Sequence, residues 1–454
     1  MSHDKKRSSF SGRLGYVLAA AGSAVGLGNI WRFPYLAAKY GGGAFLLVYL
    51  VLALTFGYTM IMAETAIGRM TRKAPVGAFA SVSRSRAVRA GGWINAIIPA
   101  LILPYYSVIG GWVCRYLWGY LSGQGAAMAS EGTFNAFLAS PGAVVGCFMV
   151  FAALTMAVIF GGVQNGIERV SKIMMPILAL LTLVVVGYSV TRPGAMAGVK
   201  YFLIPDLRHF SLMTVVSALG QMFYSLSIAM GILITFGSYT GSDVDLEGTT
   251  AQVEIFDTAI AVLAGLMVIP AVFAFSGGDP AALNKGPALM FVTLPKVFES
   301  MGGTWIGILF FALVLMAALT SAVSLAECVC ATFEDELHWP RPKAAALVTV
   351  LLVGLGMLSC LGFNALSGVA PLGMDILSFF DFLTNSVMMP VAAAAICLVA
   401  LKVIGLDRLE AEITQSSGFR RRGVFRFVIR YLAIILLAVI LVSSICDAFG
   451  LIHI

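Results

Sequence analysis

Two acidic residues, Glu64 and Asp257, stand inside long apolar stretches of this chain. A charged side chain at the centre of a membrane span costs about 2.5–3.5 kcal/mol even on a lenient insertion scale, so each needs a partner. Asp257 lies about nine residues, or ~14 Å, along a helix that starts near Gly248. It is either a cation ligand or an acid at the aqueous edge beside Glu254. Glu64 either accepts hydrogen bonds from buried backbone or is a water-exposed acid near the end of its helix, where Arg69 follows. Thr320 and Ser321 place two adjacent hydroxyls in another apolar run; taken alone they read as hydrogen bonds to the preceding helical turn. Asn29 alone reads as a bridge between two helices. Histidine chemistry finds no support, because His3, His209, His338 and His453 form no metal-binding spacing. Without a nucleophile–base motif either, a membrane enzyme is disfavoured. The seven cysteines are scattered, with neither zinc nor disulfide spacing.

The elements that position these groups are membrane helices. Hydrophobic residues make up 59% of the 454 positions and charged residues 11%, with a mean hydropathy of +0.94. A soluble chain carries about 25% charge, so most of this surface faces something other than water. Runs of roughly 20 apolar residues mark bilayer spans. They fall near 15–38, 45–68, 94–121, 142–160, 173–191, 212–236, 250–275, 304–333, 344–362, 374–402 and 427–449, eleven in all. The net charge of +7 is concentrated in 69–92 and 403–430 and alternates with sparsely charged loops. That is the positive-inside pattern, which reports topology and not a nucleic-acid partner. It places the N-terminus and the segments 161–172, 237–249 and 334–343 in the cytosol. No long linker divides the chain, so 1–454 reads as one domain.

Two spans are rich in small residues. The first contains Gly22 through Asn29 and the sixth contains Ser225 through Gly231. Glycine is frequent in membrane helices, where it also serves close packing. Here the two segments open successive runs of five spans. Paired interruptions at matching places in two halves point to an inverted-repeat transporter whose broken helices meet at the midplane. The expected fold is therefore an all-α polytopic membrane protein. It has a first inverted repeat over 15–191, a second over 212–402, and an extra span at 427–449.

A family resemblance extends this reading. Arg13-Leu14-Gly15, the Gly22–Asn29 run, Trp31-Arg32-Phe33-Pro34-Tyr35 and Gly41 through Phe45 resemble the first-span signature of the neurotransmitter:sodium symporters. Further matches are Glu64 with Gly68-Arg69, Gln221 through Gly231, Gly286-Pro287 through Leu294-Pro295, Leu319-Thr320-Ser321 and Phe333 through Leu337. They occur in family order over nearly the whole chain. Eleven spans and short termini look like the prokaryotic branch, in a cytoplasmic membrane. The resemblance implies a sodium-coupled amino-acid importer working by alternating access.

What the family implies for single residues follows position by position. One sodium ion would lie between the carbonyls of Gly22, Val25 and Ala317 and the hydroxyls of Thr320 and Ser321. A second would bind the Ala24 carbonyl, Asn29, Ser225 and Asp257, together with the substrate carboxylate. Glu64 would accept from the unwound backbone of the sixth span. The substrate pocket would comprise Ser23, Ala24, Gly26, Leu27, Gly28, Ile102, Tyr106, Tyr224, Ser225, Ser227, Met230, Ala322 and Leu325. Amine-selective relatives carry an acid at the Gly26 position; its absence here points to a substrate with its own carboxylate. Met230 and an apolar side-chain subsite suit hydrophobic or aromatic amino acids. Arg32 and Asp381 match an outer gate pair, while Arg7, Phe10, Tyr239 and Asp335 match an inner network. Chloride-dependent animal relatives have asparagine at the Asp257 position and serine at Ala261. Asp257 would replace chloride as fixed negative charge and take up a proton on the empty return step. An uncoupled sensor or channel of the same fold, and a proton-coupled carrier of related architecture, are the rival readings; Thr320-Ser321 favour sodium over protons.

Overall fold

The computed structural model describes residues 8–283 and 288–448. Within them the regular secondary structure is helical, with one isolated bridge between Gly42 and Pro205. Among the described residues nine helices are long and apolar enough to cross a bilayer. They are span 2 (Gly43–Thr71), span 3 (Arg86–Leu121), span 4 (Pro141–Phe160), span 5 (Val163–Val190), span 7 (Leu246–Ser276), span 8 (Thr304–Leu337), span 9 (Arg341–Leu361), span 10 (Ile376–Ile404) and span 11 (Arg422–Ser443). Two more are broken. Span 1 consists of Arg13–Ala24 and Gly28–Lys39, bent by 50°; span 6 consists of Leu212–Ser225 and Ile232–Ser238. The architecture is two inverted five-helix repeats, spans 1–5 and 6–10, with span 11 added.

Several helices run beyond the apolar stretches that mark them in sequence. Span 3 begins at Arg86 instead of near 94, and span 8 continues to Leu337. Hydropathy sees the lipid-immersed portion of a helix, whereas backbone hydrogen bonding continues through polar ends such as Arg86 and Arg89. The segment 69–92 also contains a short helix, Pro75–Val82, with proline at its first turn and Phe79 buried. The segment 403–426 contains another, Leu406–Ile413, which buries Leu409 and Ile413.

Spans 2, 3 and 8 are mostly enclosed, while spans 4, 5, 9 and 11 turn large parts of their surface outward. The second half of span 6 lies directly against span 2. A Cβ added at Gly68 would stand 1.9 Å from the Ile234 carbonyl oxygen, and one at Gly237 would stand 2.3 Å from that of Thr65. Backbone-to-backbone approach of this kind needs glycine on both helices. It fixes the lower half of span 6, and so the level at which span 6 breaks.

Candidate functional site

Span 1 leaves the helix at Val25, whose φ and ψ are −73° and 100°, and resumes as a π turn at Gly28. In span 6 the chain between Ser225 and Ile232 carries positive φ at Ser227 (53°), Ala229 (59°) and Gly231 (70°). A left-handed residue other than glycine costs roughly 1–3 kcal/mol and persists where its surroundings hold it. Here the holding groups are visible. The Ala229 N–H donates to Glu64 Oε1 at 2.8 Å, and Glu64 is fully buried. The Ser227 hydroxyl donates to the Ser23 carbonyl at 3.0 Å, and the Gln221 amide donates to the Gly28 carbonyl at 2.9 Å. The two breaks are thereby stitched to each other and to span 2.

Two oxygen-rich clusters flank the break. In the first, Asn29 Nδ2 donates to Asp257 Oδ1 at 2.7 Å and to Ser225 Oγ at 2.9 Å. The Ser225 hydroxyl lies 2.9 and 3.1 Å from the two Asp257 oxygens. Tyr49, not singled out in the sequence, joins them with its hydroxyl 3.3 Å from Asp257 Oδ2. Asp257 is fully buried, so it is no aqueous-edge acid. In the second cluster, Ser321 Oγ lies 3.0 Å from the Ser23 carbonyl and 3.3 Å from those of Gly22 and Val25. Thr320 Oγ1 lies 3.0 and 3.1 Å from the Met316 and Ala317 carbonyls, the contact expected for a hydroxyl in a helix. Thr320 also faces span 1, since a Cβ at Gly22 would stand 3.2 Å from its Cβ.

Between the clusters is a cavity of about 20 Å³. Span 1 lines it with Ser23, Ala24, Gly26, Gly28 and Asn29; span 3 adds Ile102 and Tyr106. Span 6 contributes Tyr224, Ser227, Met230 and Ile232, and span 8 contributes Ser321 and Leu325. Three expected pocket residues do not line it. Leu27 meets it only through its amide, which donates to the Tyr106 hydroxyl at 3.1 Å. Ser225 belongs to the Asp257 cluster behind it, and Ala322 is buried in helix packing. Ile232 lines the cavity unforeseen, because the left-handed Gly231 turns the following residue inward. A Cβ at Gly26 would stand 2.7 Å from Ser321 Oγ and 2.9 Å from the Tyr106 hydroxyl, so a side chain here must displace one or both of these hydroxyls.

The expected gate residues lie on either side. Arg32 stands over the Tyr224 ring, 5.5 Å from its centroid. Asp381 accepts from Asn385 Nδ2 at 2.5 Å and from the Tyr105 hydroxyl at 3.2 Å. Among the described residues Arg32 and Asp381 form no direct ion pair. On the other side Phe10 is wedged edge-on among Tyr16, Phe236 and Tyr239, and its N–H donates to the Tyr239 carbonyl at 3.2 Å. Asp335 accepts from the Ala74 N–H at 2.7 Å. Arg7 and the Gly286-Pro287 pair lie outside the described residues.

Beneath the wedge the Tyr239 hydroxyl donates to the fully buried Glu327, which is ion-paired with Arg341. Sequence reasoning passed over Glu327, although an acid within an apolar run is the signal that flagged Glu64 and Asp257. Tyr105 was hidden by its neighbour Tyr106. Successive helical residues point about 100° apart, so one tyrosine enters the cavity while the other reaches Asp381.

Comparison with known proteins agrees with this geometry. The model of the sodium:neurotransmitter symporter family matches residues 7–136 and 133–451. The uncharacterized sodium-dependent transporter YhdH of Bacillus subtilis is 36% identical over 443 residues, covering 97% of each chain. An uncharacterized sodium-dependent transporter of Haemophilus influenzae is 30% identical, over 98% of this chain and 99% of its own. The bovine sodium- and chloride-dependent taurine transporter is 26% identical, over 91% of this chain and 74% of its own. The crystal structure of MhsT in complex with L-phenylalanine superposes with a TM-score of 0.87 at 37% identity, covering 96% of this chain and all of that one. The Bacillus, Haemophilus and bovine relatives are named as sodium-dependent transporters, not as enzymes. The chain is a multi-pass membrane protein that belongs to the sodium:neurotransmitter symporter family.

Proposed function

We propose that the chain imports hydrophobic or aromatic amino acids together with sodium ions by alternating access. The observation that carries this reading is the convergence of neutral oxygens at the break in span 1. Three carbonyls of span 1 surround the Ser321 hydroxyl at 3.0–3.3 Å, with Thr320 beside it. Neutral oxygens at a helix break suit a monovalent cation, because they compensate its lost hydration without the attraction of a full opposing charge. A second sodium ion enters at Asp257, Ser225 and Asn29, with the Ala24 carbonyl. There the Asn29 amide turns so that its oxygen, instead of its nitrogen, faces the cation.

The substrate binds between the clusters, where the walls separate to admit it, since the cavity of about 20 Å³ holds roughly one water. Its carboxylate reaches the Tyr106 hydroxyl, and its side chain is held by Ile102, Met230, Ile232 and Leu325. Met230 is the adaptable wall, since an unbranched thioether re-packs around ligands of different shape. Phenylalanine in the MhsT crystal supports an aromatic substrate. Transport is independent of chloride, because Asp257 provides the fixed negative charge that chloride would supply. On the empty return step that carboxylate carries a proton outward. Uptake into proteoliposomes under a sodium gradient, with a panel of amino acids, tests the reading. Accumulation of phenylalanine or another apolar amino acid that stops when choline replaces sodium is expected; uptake indifferent to sodium overturns it.

A further inference from the structure

Arg430 is an unsatisfied charge on the outer face of span 11. It is exposed and forms no ion pair or hydrogen bond among the described residues. Four nearby cations are engaged: Arg422 and Arg426 bind Glu410, Arg421 binds Glu254, and Arg69 binds Glu412; Lys402, Arg408 and Arg420 are, like Arg430, exposed and in no ion pair among the described residues. Arg430 stands eight residues beyond Arg422, about 12 Å farther along the helix. Its companions on the exposed face are apolar. Phe427 and Tyr431 are 58% and 57% exposed with ring centroids 5.7 Å apart, and Ile434 is 41% exposed. This face looks into lipid, where a guanidinium without a counter-charge is expensive.

The backbone here also departs from α-helix, as it does at six other π turns among the described residues. Arg430 sits in a π turn, Val428–Leu432, that packs against a second π turn in span 2, Ala53–Gly57. Isolated π turns in α-helices are frequent at functional sites. Leu54, 47% exposed, lies in that second turn, so the seam between spans 2 and 11 is apolar with one cation beside it. Arginine carries its charge on an apolar stem that lies along hydrocarbon, and its planar fork matches two oxygens of a phosphate. Exposed aromatic rings on either side suit headgroup depth.

We propose that Arg430 binds the phosphodiester of a phospholipid whose acyl chain lies along the seam between spans 2 and 11. The occupant is a membrane lipid of the leaflet on the Arg421 side. The guanidinium reads the phosphate common to phospholipids, and Phe427 and Tyr431 flank the glycerol region. The inference is independent of which solute is transported.

Native mass spectrometry of the full chain in detergent, supplemented with phosphatidylglycerol or with diacylglycerol of the same acyl chains, tests it. Wild type and Arg420→Gln, which changes another exposed cation at this end, are expected to retain one phospholipid. Arg430→Gln should retain it at least tenfold less, with Arg430→Lys in between because it keeps the charge and loses the fork. None should retain diacylglycerol. Equal retention by Arg430→Gln overturns the proposal, as does diacylglycerol held as well as phospholipid. A wild-type dimer that Arg430→Gln converts to monomer, with lipid unchanged, would assign the face to a second copy of the chain and would also overturn it.

Discussion

Replacing Glu64 tests whether the break in span 6 is held by a single buried acceptor. Glu64 Oε1 is the acceptor for the Ala229 N–H at 2.8 Å, and Ala229 is left-handed with φ of 59°. Glu64→Met keeps most of the side-chain volume and removes the acceptor. A buried N–H without a partner costs about 1–3 kcal/mol, and no other acceptor for Ala229 is present among the described residues. Taking about 2 kcal/mol, and tenfold per 1.4 kcal/mol, the binding-competent break becomes roughly 30-fold less favourable. Sodium-dependent phenylalanine binding to purified protein should weaken by about that factor. Glu64→Gln keeps an acceptor but places an amide where Glu64 Oε2 has no partner. Its expected loss is about 1 kcal/mol, or fivefold. Folding is checked by the detergent melting temperature of each variant. Wild-type affinity in Glu64→Met, or equal losses in both well-folded variants, would refute the idea that one hydrogen bond holds Ala229.

Four further outcomes are expected. Thr320→Ala combined with Ser321→Ala removes two hydroxyls from one cation cluster; sodium-driven uptake should collapse, and undiminished uptake would contradict the assignment. Gly26→Ala should weaken amino-acid binding in protein that still purifies folded, because its Cβ displaces the Ser321 and Tyr106 hydroxyls; Gly26→Asp adds like-charge repulsion of the carboxylate and should abolish it, and unchanged binding in Gly26→Asp would contradict the pocket assignment. Uptake should be equal in gluconate and chloride, while a more acidic interior stimulates wild type and not Asp257→Asn; a strict chloride requirement in wild type would remove Asp257 from its charge role. Asp245 caps span 7 by accepting from the Gly248 N–H at 2.9 Å. Burial there favours the protonated acid, but the Gly248 and Ser417 hydrogen bonds and Arg13 outweigh it and hold the carboxyl below its ordinary value of 3.8. Asp245→Ala should therefore cost about 1 kcal/mol at neutral pH, read as a lower melting temperature. That deficit should shrink as pH falls through the folded-state value, below 3.8; a deficit unchanged in acid would count against the cap.

The fold was legible because bilayer spans announce themselves by composition and their breaks by glycine placed alike in two halves. The span ends were not, since Arg86 through Arg89 and Glu334 through Leu337 continue a helix after its hydrophobicity has stopped. Within the site, Asp257, Asn29 and Ser225 were legible from type and family position, and the structure brings their polar atoms within 2.7–3.1 Å. Tyr49 was not, because tyrosine in a span is ordinarily a packing or interfacial residue. Only the fold turns its hydroxyl onto Asp257, more than 200 residues away.

The expected outer gate pair shows a different limit. A family position pairs Arg32 with Asp381, but Oδ1 of the carboxylate is engaged locally by Asn385, one helical turn along span 10, and by Tyr105 from span 3. Arg32 instead lies over Tyr224, the residue that roofs the cavity. A half-buried acid takes the nearest good donors, and an amide on the same helix reaches it with little loss of chain entropy. A guanidinium over an aromatic face gains part of the attraction it would have from an anion and keeps its remaining donors in water. Which charge meets which is therefore decided by third residues such as Asn385 and Tyr105, whose types carry no charge signal in sequence. That arrangement also suits a gate. Arg32 can swing away from Tyr224 without taking a donor from Asp381, which keeps those of Asn385 and Tyr105.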